Sequence, residues 1–155
     1  MSVVQQVVFN IGKEEFGIDI IKVFVIEKYQ SVVKIPNTPE YVEGVINLRG
    51  EALPIYNLRK RFNLSQKAND EHTKIIVTYT NDMKVGFVVD AVQEILNIEE
   101  ENIENTPKIV AGINRHYIQG LAKVDDRMVI LLDVDQLIGE EEQKELEQAL
   151  EESKQ

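Results

Sequence analysis

A chain of 155 residues, 43% hydrophobic and 28% charged, can bury roughly 70% of its unfolded surface in one domain or two small halves. No apolar run approaches the ~20 residues of a membrane-spanning helix, and zero cysteines exclude a disulfide framework, a thiolate metal site and a cysteine nucleophile. A net charge of -10 argues against a nucleic-acid backbone or an anionic membrane as ligand, although residues 140 to 155 alone hold seven Glu against two Lys and leave the body only mildly acidic.

Met1 to Gln6 has neither the basic start nor the apolar stretch of a secretory signal, so a cytoplasmic location is expected. The apolar residues of Val3 to Ile11 predict a strand, Gly12-Lys13 a hairpin turn and Glu15 to Ile20 the return strand. Ile21 to Ile26 is an almost unbroken β-branched and aromatic run, expected in a strand buried on both sides or at a seam between two bodies. Tyr29 to Ile35 continues as strand until Pro36, which has no amide to donate. Thr38-Pro39-Glu40 has the form of an N-cap with proline at the first helical position, enough for one turn before Gly44. Two short strands, Val45 to Leu48 and Ala52 to Tyr56, flank the tight turn at Arg49-Gly50-Glu51. Leu58 to Phe62 is a short basic turn and Gln66 to Glu71 a polar loop.

Thr73 to Tyr79 and Lys84 to Val89 read as a hairpin turning at Asn81-Asp82, and Val92 to Ile98 as a further strand. Glu99 to Glu104 reads as a solvated acidic loop. Asn114 to Tyr117 is a polar turn, and Ile118 to Val124 with Met128 to Leu132 form a hairpin around Asp125-Asp126-Arg127. Beyond Asp133 the pattern becomes helical, with Leu137, Leu146, Ala149 and Leu150 on one stripe, and a helix over 139–153 is expected.

The chain repeats itself. Asn37 to Gly44 matches Asn105 to Gly112 with five identities, Gly17-Ile18 with Val23 and Ile26 matches Gly86-Phe87 with Val92 and Ile95, and Gly44 to Glu51 lies over Gly120 to Arg127. Each half has about five strands and one helical turn, enough for a small closed barrel. The expected division is one domain with a first barrel over 13–65, a second over 73–138, and the strand 3–11 pairing within or across them. Arg49-Gly50 becomes Asp125-Asp126 in the second half, so the fold does not require an arginine at that corner. Arg49 is therefore either an exposed or salt-bridged hairpin charge, with Glu27 or Glu51 as partner, or an anchor in a protein interface.

No catalytic constellation is present in the sequence. His72 and His116 lie in polar loops without ligand spacing, Asp133-Val134-Asp135 lacks the rest of a calcium loop, and there is no nucleophile elbow or phosphate cradle. The expectation is a protein that is no enzyme and carries no metal or cofactor.

Ile35-Pro36-Asn37-Thr38-Pro39, Gly44-Val45-Ile46-Asn47-Leu48-Arg49-Gly50, Leu53-Pro54-Ile55 with Asn57-Leu58-Arg59, and Val88-Val89-Asp90 with Val92 together resemble the CheW-type chemotaxis coupling proteins, up to about Ile138. The resemblance implies a mainly β fold of two pseudo-repeated five-stranded SH3-like barrels with a C-terminal α-helix, and an adaptor role. Its implied partners are the cytoplasmic tip of methyl-accepting chemoreceptors and the regulatory domain of the histidine kinase CheA, with no nucleic acid and no membrane insertion. It places a receptor-binding groove at Val23, Val25, Gly44, Arg49, Gly50, Val89 and Val92, and kinase binding at Val77, Tyr79, Val85, Phe87 and Leu121. Family members often carry Glu where this chain has Val25, so no carboxylate there can serve Arg49. The alternatives are a CheW-like regulatory module of another two-component system and a small β-barrel nucleic-acid binder.

Overall fold

The computed structural model describes residues 2–80, 82–104, 109–110, 113–138 and 148. Its strands are β1 (Val3–Ile11), β2 (Glu14–Asp19), β3 (Val23–Lys28), β4 (Val42–Leu48), β5 (Glu51–Asn57), β6 (Lys74–Thr80), β7 (Met83–Val89), β8 (Ala91–Glu99), β9 (Ile103–Glu104), β10 (Ile109–Val110), β11 (Ile113–Asn114), β12 (Ile118–Val124) and β13 (Arg127–Leu132). Two helical turns, α1 (Leu58–Arg61) and α2 (Val134–Leu137), are capped by the side chains of Asn57 and Asp133. The expected helix over 139–153 falls outside the described residues apart from position 148.

The strands form one sheet in the order β3-β6-β7-β5-β4 and another in the order β8-β1-β2-β13-β12-β9. This bears out the mainly β architecture of two five-stranded units, to which the second adds the short β9. It corrects the division at 13–65 and 73–138. The hairpin β1-β2 joins the strands of the second repeat, through the parallel pair β2 and β13, and the hairpin β6-β7 joins those of the first, through the parallel pair β7 and β5. Each repeat is a hairpin plus three strands, and the two repeats exchange hairpins.

The correspondence extends to irregularities. The pairing of β3 with β6 slips between Val23 and Val25, and that of β1 with β8 slips opposite the equivalent residues Val92 to Glu94. A second pair of slips lies at Val42/Gly44 and at Ile118/Gly120. A bulge leaves one residue of a strand unpaired and turns the edge. Phe24 and Glu43 are the unpaired residues of β3 and β4.

Alternation explains how the two sheets share a core. On β1, Val7, Phe9 and Ile11 enter a large cluster common to both sheets, while Val8 enters a smaller one belonging to its own. On β6, Ile76 faces the common cluster while Ile75 and Val77 face the private core of the first sheet. Stacked rings of Phe9, Phe16 and Phe62 run through the common core. Arg61 crosses between the bodies, its guanidinium 4.5 Å from the ring centre of Tyr41 and 4.9 Å from that of Tyr117, two tyrosines that immediately precede β4 and β12.

Four local expectations change. The run Val23 to Ile26 is not buried on both sides: β3 ends its sheet and its side chains alternate between half-buried and exposed. Tyr29 to Ile35 is no strand, and only Val33 makes a bridge, to Val45. Thr38-Pro39-Glu40 starts no helix, because the Thr38 hydroxyl donates backwards to the Ile35 carbonyl at 3.0 Å. Within the expected acidic loop, Ile103 and Glu104 form β9 against β12.

Candidate interaction surface

Arg49 and Gly50 form the two-residue tip between β4 and β5, with Leu48 paired to Glu51. Both have positive φ, 53° and 86°, the combination the mirror-image hairpin turn requires. The Asn47 carboxamide holds the tip by accepting from the Gly50 amide at 2.9 Å. Arg49 is exposed, and among the described residues it has no hydrogen bond or ion pair. The anticipated bridge to Glu51 does not form, because Glu51 accepts from Lys84 at 2.9 Å.

From that tip an amphipathic strip crosses the sheet over β5, β7, β6 and β3. The Lys84 ammonium lies 4.3 Å from the ring centre of Phe24 and 5.7 Å from that of Tyr79. The two rings meet edge to face at 5.3 Å and 80°. Phe24 is 37% and Tyr79 45% exposed, so the strip keeps two aromatic faces in solvent. The hydrogen bond to Glu51 raises the Lys84 ammonium above the ordinary lysine value, against the neighbouring Arg49 charge, which lowers it. Arg49 is thus near enough for its charge to act on Lys84, and among the described residues Lys84 holds the carboxylate while Arg49 has none.

The residues expected for the receptor groove divide by burial. Arg49 and Gly50 are exposed, while Val23 and Val92 are half-buried against the core shared by both sheets. Val25 packs on the private core of the first sheet. Val89 is fully buried, and Gly44 is buried under the backbone of Val33, so these two are corrected from contact residues to structural ones. Among the residues expected to touch the kinase, Val77, Val85 and Phe87 are 0% exposed and Leu121 is 8% exposed. Val77, Val85 and Phe87 have no surface to offer a docked protein and Leu121 has little; these residues pack in the cores, and only Tyr79 presents itself. Sequence reasoning missed Phe24 and Lys84, and it offered Glu51 to Arg49 where the structure gives it to Lys84. Lys84 was accessible in principle, since it pairs with Tyr79 two places either side of a two-residue turn. Phe24 was not, because the bulge that turns it outward leaves no mark in the periodicity.

The passage Asn37 to Gly44 borders a cleft of about 580 Å³ lined by Tyr29, Lys34, Thr38, Glu43, Asn57 and Lys60, among others. Its inner polar groups satisfy one another: Glu43 accepts from Asn57 at 2.7 Å and from the Tyr29 hydroxyl at 3.4 Å. Burial, and then the Glu43 charge, raise the Tyr29 phenol. Among the described residues no cluster of His, Asp and Glu is arranged to hold a metal ion, and no helix is long and apolar enough to cross a membrane.

A family model for the CheW-like domain matches residues 5–142. The chemotaxis protein CheW of Klebsiella aerogenes is 40% identical over 135 residues, which span 87% of this chain and 81% of that one. The CheW of Treponema pallidum is 36% identical over 146 residues, 92% of this chain and 86% of that one. The crystal structure of the scaffolding protein TtCheW from Thermoanaerobacter tengcongensis superposes with a TM-score of 0.83 at 37% identity and covers 90% of each chain.

Proposed function

This chain belongs to the CheW-like family, and we propose that it is a non-enzymatic, cytoplasmic chemotaxis scaffold that couples chemoreceptors to the regulatory domain of the histidine kinase CheA. The observation that carries this reading is Arg49. An exposed, unneutralised arginine occupies a left-handed turn position where Asn or Gly costs less, and the repeat shows that the fold accepts another residue at that corner. Strain kept at an exposed corner beside an aromatic strip suits a surface selected for contact, since arginine and aromatic residues dominate interface hot spots.

In this reading Arg49, Phe24, Tyr79 and Lys84 supply one docking surface, and the edges at Val23 and Val92 supply a second, receptor-facing one. A scaffold of this kind transmits signal by binding one state of the kinase better than another, so that receptor state shifts the kinase equilibrium. The test is co-sedimentation of the full chain with receptor cytoplasmic fragments and CheA, wild type against Arg49→Ala. The wild type should join both partners, and the variant should bind at least one of them about tenfold more weakly while unfolding at the same urea concentration. Failure of the wild type to bind either partner overturns the coupling role; equal binding and equal kinase activation by the variant remove Arg49 from the surface.

A further inference from the structure

The cleft of about 580 Å³ beside the passage 37–44 carries charges that nothing around them neutralises. Its charged lining is Lys34, Glu40, Glu43 and Lys60, two cations and two carboxylates. Among the described residues none of the four forms an ion pair, although they share one cleft. Lys34 and Lys60 are exposed. Glu43 is half-buried, and the hydrogen bonds it accepts come only from neutral donors, the Asn57 carboxamide at 2.7 Å and the Tyr29 hydroxyl at 3.4 Å. Its hydrogen bonding is served while its charge is left without a counter-ion, which is costly away from bulk water.

The fold does not demand an acid at this place. Glu43 is the unpaired residue of the β4 bulge, and the equivalent residue of β12 is Gln119, which is neutral, exposed and, among the described residues, without a hydrogen bond. A bulge re-aims a side chain, and in β4 it brings Glu43 into the cleft lining. Asn57 then fixes the carboxylate. It is 8% exposed, its Nδ2 donates to Glu43 and, at 3.0 Å, to Gln66, and its Oδ1 accepts from the Lys60 amide at 3.0 Å. An ionised carboxylate offers about four acceptor sites, so Glu43 keeps capacity for a further donor. Half-buried Val32 and Pro39 add an apolar wall to the same lining.

We propose that this cleft binds a free α-amino acid with an aliphatic side chain, as the zwitterion, with its ammonium on Glu43, its carboxylate on Lys60 and Lys34, and its side chain against Val32 and Pro39. A simple anion would meet Glu40 and Glu43, and a simple cation would meet Lys34 and Lys60. A ligand carrying both signs matches a lining whose charges cancel, and it supplies Glu43 with the cation that the chain does not. The volume falls within the range of about 300–1,000 Å³ typical of small-ligand sites. The proposal is independent of Arg49 and of the receptor and kinase assignments.

The test is two-dimensional NMR of the isotope-labelled full chain titrated with L-leucine. The controls are N-acetyl-L-leucine, which lacks the ammonium, and L-leucinamide, which lacks the carboxylate. Saturable shifts of the Asn57 and Gln66 side-chain amides and of the Lys60 backbone amide are expected with L-leucine only. Glu43→Gln, which installs the residue of the second body and keeps an acceptor for Asn57, should weaken binding at least about tenfold. Lys60→Met, at an exposed position where folding is not at stake, should weaken it several-fold. Absence of saturable shifts with L-leucine, equal shifts with either control, or an affinity indifferent to Glu43→Gln or to Lys60→Met overturns the site.

Discussion

Arg59 and Asp90 meet at 2.5 Å, and the corresponding place in the other repeat holds the same kind of pair with its signs reversed, Asp135 on Lys22 at 2.9 Å. Arg59 and Asp135 are the second residues of α1 and α2. Asp90 and Lys22 lie in the two links by which the chain crosses between sheets, from β7 to β8 and from β2 to β3. Each pair thus ties a helical turn to a crossing. The first is the stronger tie, because Asp90 also accepts from the Gly12 amide at 2.7 Å and both side chains are less than a fifth exposed. In the second, Lys22 and Asp135 are 40% and 34% exposed.

Replacing Arg59 by Ala should therefore cost about 2 kcal/mol, since it strands a half-buried carboxylate, whereas Lys22→Ala should cost under about 1 kcal/mol. Burial raises the Asp90 carboxyl, but the Arg59 and Gly12 hydrogen bonds outweigh it and hold the group below the ordinary carboxylate range. A carboxyl depressed in the folded state contributes stability above its unfolded value of about 3.9 and loses it as pH falls through the lower folded value. Urea midpoints of wild type and Asp90→Asn should differ by a constant amount above about pH 5 and converge as the pH falls through the depressed folded value. A gap that persists in acid would mean that the charge of Asp90 is not what stabilises.

At Gly44 any side chain is excluded twice. Its φ is 146°, and an added Cβ would lie 2.0 Å from the Val33 carbonyl oxygen, where Val33 and Val45 bridge at 2.8 and 2.9 Å. Gly50 has only the positive φ and open space around it. Gly44→Ala should cost at least about 3 kcal/mol or prevent folding, and Gly50→Ala about 1 kcal/mol. Thermal unfolding of the two variants compares them directly, and similar losses would refute the steric account.

Burial also separates residues that hold the sheet from residues that face a partner. Phe87→Ala and Val77→Ala should each lower stability by about 2 to 4 kcal/mol, because both side chains are sealed. Phe24→Ala and Tyr79→Ala should cost about 1 kcal/mol or less and show their effect in partner binding. Urea unfolding and a pull-down on all four variants distinguish the classes.

The turn at Arg49 offers the opposite sign of change. Asn tolerates positive φ better than Arg and makes the preferred Asn-Gly turn, so Arg49→Asn should raise stability by a few tenths to about 1 kcal/mol. The same variant should bind partners more weakly. A gain in stability without loss of binding would show the arginine to be incidental.

The repeat, most strands and the family were legible in the sequence, because they depend on local alternation, on turn residues and on motifs contiguous in the chain. The exchange of hairpins was not. Gly17 opposite Leu131 and Gly86 opposite Ile55 are parallel pairings between strands far apart in sequence, and alternation specifies which face of a strand is buried without naming the strand beside it. The same limit explains the surface residues: Phe87 and Phe24 are equally apolar on paper, and only the packing of one sheet on the other seals the first while a bulge at an edge exposes the second. The sequence by itself determined that there are two copies of one plan with an arginine added to one of them. The tertiary structure decided that each copy completes the other, because burial on both faces of β1, β2, β6 and β7 is available only to a hairpin inserted between its neighbours.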